Sequence, residues 1–176
     1  VILSPDRDPR LITVRRGGSL TDPDHHRLAL WAASCAEHVL GLFEAARPDD
    51  PRPREAIAHN RAWTRGEVRM MVARASGGHA MGAARDLRGA ARFAAYAAGQ
   101  AGVVPHVAAH DLGAAAYAIK AVRAAAEADG ATADQAVEAG RAECRWQRDR
   151  LPDAVRDLVL DDQRIRNPLC WNVFDA

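Results

Sequence analysis

From His79 to Ala128 the chain reads HAMGAARDLRGAARFAAYAAGQAGVVPHVAAHDLGAAAYAIKAVRAAAEA, and this run limits the fold more than any other feature. Alanine has the highest helix propensity of any residue, and valine and isoleucine are too sparse here to furnish a large sheet. Over all 176 residues alanine supplies about one position in five, while aromatic residues supply 5%. A core built from side chains this small holds only if helices lie close together across thin interfaces. The expected fold is all-α, an antiparallel bundle of about six helices with short connections and an irregular N-terminal segment. Gly77, Gly78, Gly82, Gly89, Gly99, Gly102 and Gly113 stand among the alanines, where they fit close helix approach better than a phosphate cradle. There is no P-loop and no GxGxxG pattern.

Three parts are expected: an irregular N-terminal segment at 1–23, a helical bundle domain at 24–162 and a C-terminal tail at 163–176. The first part holds Pro5, Pro9, Gly17, Gly18 and Pro23, with a short extended piece at LITV, 11–14. Asp24 reads as the cap of the first helix, whose apolar Leu28, Trp31, Ala32, Cys35, Val39, Leu42 and Phe43 recur at intervals of three and four. A second helix runs from about Pro53 to Gly66. The Ser76-Gly77-Gly78 sequence predicts a break, giving a short helix and then a longer one to Gly99. The next starts near Val103 with Pro105 in its first turn and ends at Ala128. Thr132 caps another reaching Leu151, and Pro152 opens a last helix through Leu160. The tail carries PLCWNVF, in which Trp171 reads as the cover of a groove or an oligomer contact.

Charge and cysteine content narrow the function classes. Lys+Arg of 24 against Asp+Glu of 23 leaves a formal net charge of +1, which gives no strong nucleic-acid signal. Arg61, Arg65, Arg69, Arg74, Arg85, Arg88 and Arg92 are interleaved with Glu67 and Asp86 and read as a solvated face. Cys35, Cys144 and Cys170 form no CxxC pair, which suits a reducing cytoplasm. No apolar run is long enough to span a membrane. Asp6, Arg7, Asp8 and Arg10 have no apolar stretch behind them, so no signal peptide is expected. The opening Val1 reads as a non-methionine start translated literally.

The candidate chemistry centres on HVAAH. His106 and His110 stand four apart, and on one helix that spacing puts both on one face, where they would offer two metal ligands. The glutamate of an HExxH motif is absent, and no third ligand is placed by spacing. Hydrogen-bonded packing histidines are the simpler reading. His38, Glu37, His79 and Tyr117 are the candidates to line a pocket with them, His38 by meeting the pair across a helix interface. At DHHR, 24–27, one of His25 and His26 should face inward and the other solvent. Cys35 near His38 is the only arrangement of nucleophile type, and a buried inert thiol is the ordinary case. Trp31, Trp63 and Trp146 read as core wedges. No cofactor is indicated.

Four segments taken together carry a resemblance: HRLALWAASCAEHVLGLFE at 26–44, PRPREAIAHNRAWTRGE at 51–67, HVAAHDLGAAAYAIKAV at 106–122 and ECRWQRDRLPDAVRDLV at 143–159. Across about 25–160 the chain resembles a family of small all-helical immunity proteins of bacterial polymorphic toxin systems. That resemblance implies a cytoplasmic protein that binds and neutralises a cognate protein toxin and has no catalytic activity of its own. It brings no catalytic residues to carry over. The alternative is a metal-dependent enzyme or small-molecule-binding protein using His106 and His110. A homo-oligomer stays open.

Overall fold

Helix boundaries in the computed structural model, which describes residues 2–175, follow local capping chemistry. Val1, the residue read as a literal start, and Ala176 lie outside them. Seven α-helices are found among the described residues: α1 (Asp22–Ala46), α2 (Arg52–Thr64), α3 (Met70–Ala83), α4 (Gly89–Val103), α5 (Asp111–Ala128), α6 (Ala133–Asp149) and α7 (Asp153–Arg166). The described residues form no strand. At LITV there are 3-10 turns at Pro9–Leu11 and Val14–Arg16 and a single bridge from Thr13 to Leu20, in place of the expected extended piece.

The cap of α1 is Thr21 rather than Asp24. Its hydroxyl accepts the Asp24 amide at 3.3 Å and donates to the Asp24 carboxylate at 3.0 Å, so Asp24 is the partner of the cap. Thr132 caps α6 as expected, in a reciprocal box with Gln135. α7 continues six residues beyond the expected Leu160, to Arg166, because DDQRIR keeps a helical register that buries Asp162, Gln163 and Arg166.

α4 lies at the centre, packed against α1, α2, α3 and α5. The core on this side is mostly alanine: Ala29, Ala33, Ala36, Ala80, Ala94, Ala97, Ala98, Ala101 and Ala118 are all fully buried. The glycines bring the helices closer still. A Cβ on Gly77 would stand 2.7 Å from the Gly99 carbonyl oxygen, and one on Gly102 would stand 2.8 Å from the Gly77 Cα. This explains why α3 runs unbroken through Ser76-Gly77-Gly78, against expectation: the crossing of α4 recovers the helical cost of the glycine. The break falls instead at Gly89, whose φ of +58° ends the connection to α4.

The expected helix from Val103 to Ala128 is also divided. α4 already extends to Val103, so Pro105 comes at its C-terminal end, where it has no amide to donate and cannot continue the helix. A 3-10 turn at Ala108–His110 leads into α5. HVAAH is therefore a connection between helices and not one helix face.

A second apolar cluster, poorer in alanine, includes Leu28, Trp31, Leu112, Ile119, Val155 and Val159. Both flanking segments join it: Ile2, Leu11 and Leu20 from the N-terminal side, Cys170, Val173 and Phe174 from the C-terminal side. The irregular ends are thus packed onto α1, α5, α6 and α7.

The glycine crossing can be checked by two neighbouring substitutions. Gly77→Ala should destabilise the fold by about 1–3 kcal/mol, because its methyl meets backbone that cannot yield. Gly78→Ala, which faces open space, should stabilise it by about 0.5–1 kcal/mol. Urea unfolding of both variants reads the difference in sign.

Candidate functional site

The division of HVAAH sends its two histidines to different tasks. His110 turns inward, where its Nδ1 meets Gln100 Oε1 of α4 at 2.7 Å. Burial, reinforced by the charge of Arg166, pushes its pKa down to about 4. His106 instead lines a cleft, with its Nδ1 buried and without a hydrogen-bond partner. Its pKa is lowered first by burial and then by the charges of Arg74, Arg16 and Arg7.

This cleft, of about 490 Å³, lies between the N-terminal segment and the bundle. Leu3 to Arg16 supply one wall; His25, His26, Trp63, Met70 and Pro105 to Ala109 supply another; Asp162, Ile165 and Arg166 of α7 complete it. His25 is buried and donates from Nε2 to the Val104 carbonyl at 2.8 Å, tying α1 to the end of α4. Both DHHR histidines stand edge-on to the Trp63 ring, at 4.9 and 4.7 Å between centroids, so the pair fixes that indole as a wall. Trp63 is half-buried: it packs against the alanine-rich core, as expected, and also lines the cleft.

Arg166 holds the cleft's walls together. Its guanidinium pairs in two-pronged fashion with Asp162 and donates to the carbonyls of Ile2 at 3.0 Å and Ala109 at 2.9 Å. Asp111 Oδ1 is 3.7 Å away, and its Oδ2 has no partner. Complete burial and the neighbouring Asp162 raise the Asp111 pKa to about 7, with Arg166 opposing them. Sequence reasoning passed over this group by ending the last helix at Leu160. The signal was available, since Asp162 and Arg166 stand four apart, which is the spacing of a helical ion pair.

The other candidates lie elsewhere. His38 donates from Nδ1 to the buried Glu143 at 2.8 Å and stacks on Trp146 at 3.7 Å, joining α1 to α6 rather than meeting His106 or His110. Glu143 also accepts from Gln147, whose side chain reaches the Ala115 carbonyl of α5. Glu37 forms a two-pronged pair with Arg61 at 2.7 Å, and His79 is exposed on α3. Tyr117 packs against Tyr96 at 5.1 Å and Trp171 at 5.0 Å. Beside it Lys120 Nζ lies 3.9 Å from the Trp171 ring centre and 4.6 Å from that of Phe93. Cys35 is fully buried and its thiol is pushed well up by burial, the state of an inert core cysteine. Among the described residues no three His, Cys, Asp or Glu side chains gather as a metal site.

The fold is a helical bundle in which His25, His38 and His110 are each tied to another element by a hydrogen bond. A family model described as "Imm-5 like putative immunity protein" matches residues 18–154, from before α1 into α7. The chain belongs to this immunity-protein family. No curated protein and no solved structure matches it.

The depressed pKa of His110 has a consequence for stability. Between pH 6.5 and pH 4 the unfolded chain binds a proton there that the fold does not, so stability falls as the pH falls through that window. Across it, the stability of the wild type relative to His110→Gln should fall by about 3 kcal/mol. Paired denaturation curves at several pH values read this difference; a constant offset would refute it.

Proposed function

We infer that this chain is the cytoplasmic immunity protein of a toxin system and works by holding a cognate protein toxin in a stable complex. The observation that carries the reading is the family match over residues 18–154, which takes in helices α1 to α6. The side-chain chemistry supports it. His25, His38 and His110 each serve as ties between elements, which suits a scaffold whose work is done by its surface.

The contact face we assign is the one around Trp171. This indole is 42% exposed, with Leu169 and Ile165 also exposed nearby in sequence. Trp171 and Asn172 both have positive φ, at 57° and 55°, a costly conformation for residues with side chains that holds the indole over Lys120. Lys120 is half-buried among rings, and no carboxylate lies within ion-pair distance of it among the described residues. Tryptophan and tyrosine dominate the energetics of protein interfaces, and a desolvated cation between them calls for an acidic side chain from the partner.

The test is binding of the purified chain to the product of the neighbouring gene. A stable complex is expected, with Trp171→Ala and Lys120→Gln each weakening it by about tenfold or more. Failure to bind any adjacent toxin candidate would overturn the immunity reading. Full-strength binding by both variants would move the contact to another face.

A further inference from the structure

The cleft beneath the N-terminal segment goes beyond toxin binding. Its outer wall, residues 3–16, and its α7 contribution, Asp162 to Arg166, fall outside the residues that the immunity family model matches. Its volume of about 490 Å³ is that of a small-molecule site. Charge and shape decide what such a site would hold.

Four arginines and four aspartates border the cleft, so the lining is balanced by formal charge. The pairing is not balanced. Asp8 is taken by Arg10 at 2.6 Å, Asp22 by Arg15 at 2.5 Å, and Asp162 by Arg166. Arg7 and Arg16 have no carboxylate within 4.0 Å among the described residues. Asp6 is the one lining carboxylate left without an ion-pair partner among the described residues, so two unpaired arginines stand against one unpaired carboxylate. The charges of Arg74, Arg16 and Arg7 add to burial in lowering the His106 pKa. A buried nitrogen with no partner therefore sits in a local excess of positive charge. The lining also has an apolar part: the Trp63 indole, fixed by its two histidines, together with Met70 and Val107.

We propose that this cleft binds a small organic anion, a carboxylate or phosphate ester, with its charged group among Arg7, Arg16 and His106 and its apolar body against Trp63 and Met70. The arginines supply charge-assisted hydrogen bonds, and the His106 nitrogen gains the partner it lacks. A bound anion would also offset the arginines' effect on the imidazole, so that His106 takes up a proton at higher pH when the cleft is filled.

The test uses the full chain with phenyl phosphate and phenylacetate as probes and phenylacetamide as the uncharged control. Binding is read from the His106 imidazole resonances and the Trp63 indole N–H resonance. At least one anion should bind saturably and raise the His106 titration midpoint, and the amide should do neither. Arg7→Gln and Arg16→Gln, both at exposed positions, should each weaken anion binding by about tenfold while leaving the unfolding midpoint unchanged. Preference between the two anions tells phosphate from carboxylate. The proposal is overturned if neither anion perturbs His106, if the amide binds as well as the carboxylate, or if both arginine variants bind like wild type. None of these readouts involves a toxin, so they stand or fall apart from the immunity reading.

Discussion

Arg166 is the residue on which the arrangement of the chain ends depends. It is the last residue of α7, buried, and it reaches four separate parts of the protein: Asp162 on its own helix, Asp111 at the start of α5, the Ala109 carbonyl in the connection and the Ile2 carbonyl in the N-terminal segment. A buried guanidinium is tolerated only when its donors are satisfied, and here two carboxylates and two carbonyls surround it. Meeting that demand fixes the N-terminal segment against α7 and the HVAAH connection against both. The cleft is the space left between those pieces once they are held.

The rest of the bundle rests on a different economy. Alanine and glycine let α3 and α4 approach until backbone touches backbone at Gly77, Gly99 and Gly102. A second cluster, poorer in alanine, forms where α1 and α5 meet α6, α7 and the two chain ends. α1 and α5 belong to both clusters, through Ala33 and Ala118 on one side and Leu28 and Ile119 on the other.

Much of this was legible in the sequence. The alanine runs gave the all-helical class, and the period of Leu28, Trp31, Cys35, Val39 and Phe43 gave α1, since both depend only on local propensity and spacing. The family could be recognised from segments that now lie in α1, α2, α5, α6 and α7. What escaped depends on contacts between residues far apart in the chain. Ser76-Gly77-Gly78 looks like a break unless the α4 glycines that fill the gap are known. HVAAH looks like one helix face unless α4 is known to reach Val103 and leave Pro105 at its end. For the site, spacing suggested a histidine pair and pointed to His38 as a neighbour, but the carboxylate that His38 meets is 105 residues away. Arg7 and Arg16 carried no signal at all, because a segment rich in proline and glycine gives no hint that it folds back over the bundle.

The central claim is that one buried guanidinium holds the N-terminal segment and the connection in place, and amide hydrogen exchange on Arg166→Met tests it most directly. Val14, Ser19 and Leu20 donate their amides within the segment. In the variant these amides, and the His110 amide in the connection, should exchange much faster, while amides of α3 and α4 keep their protection. Unchanged protection in residues 14–20 of a folded variant would contradict the account, because the segment would then be held without Arg166.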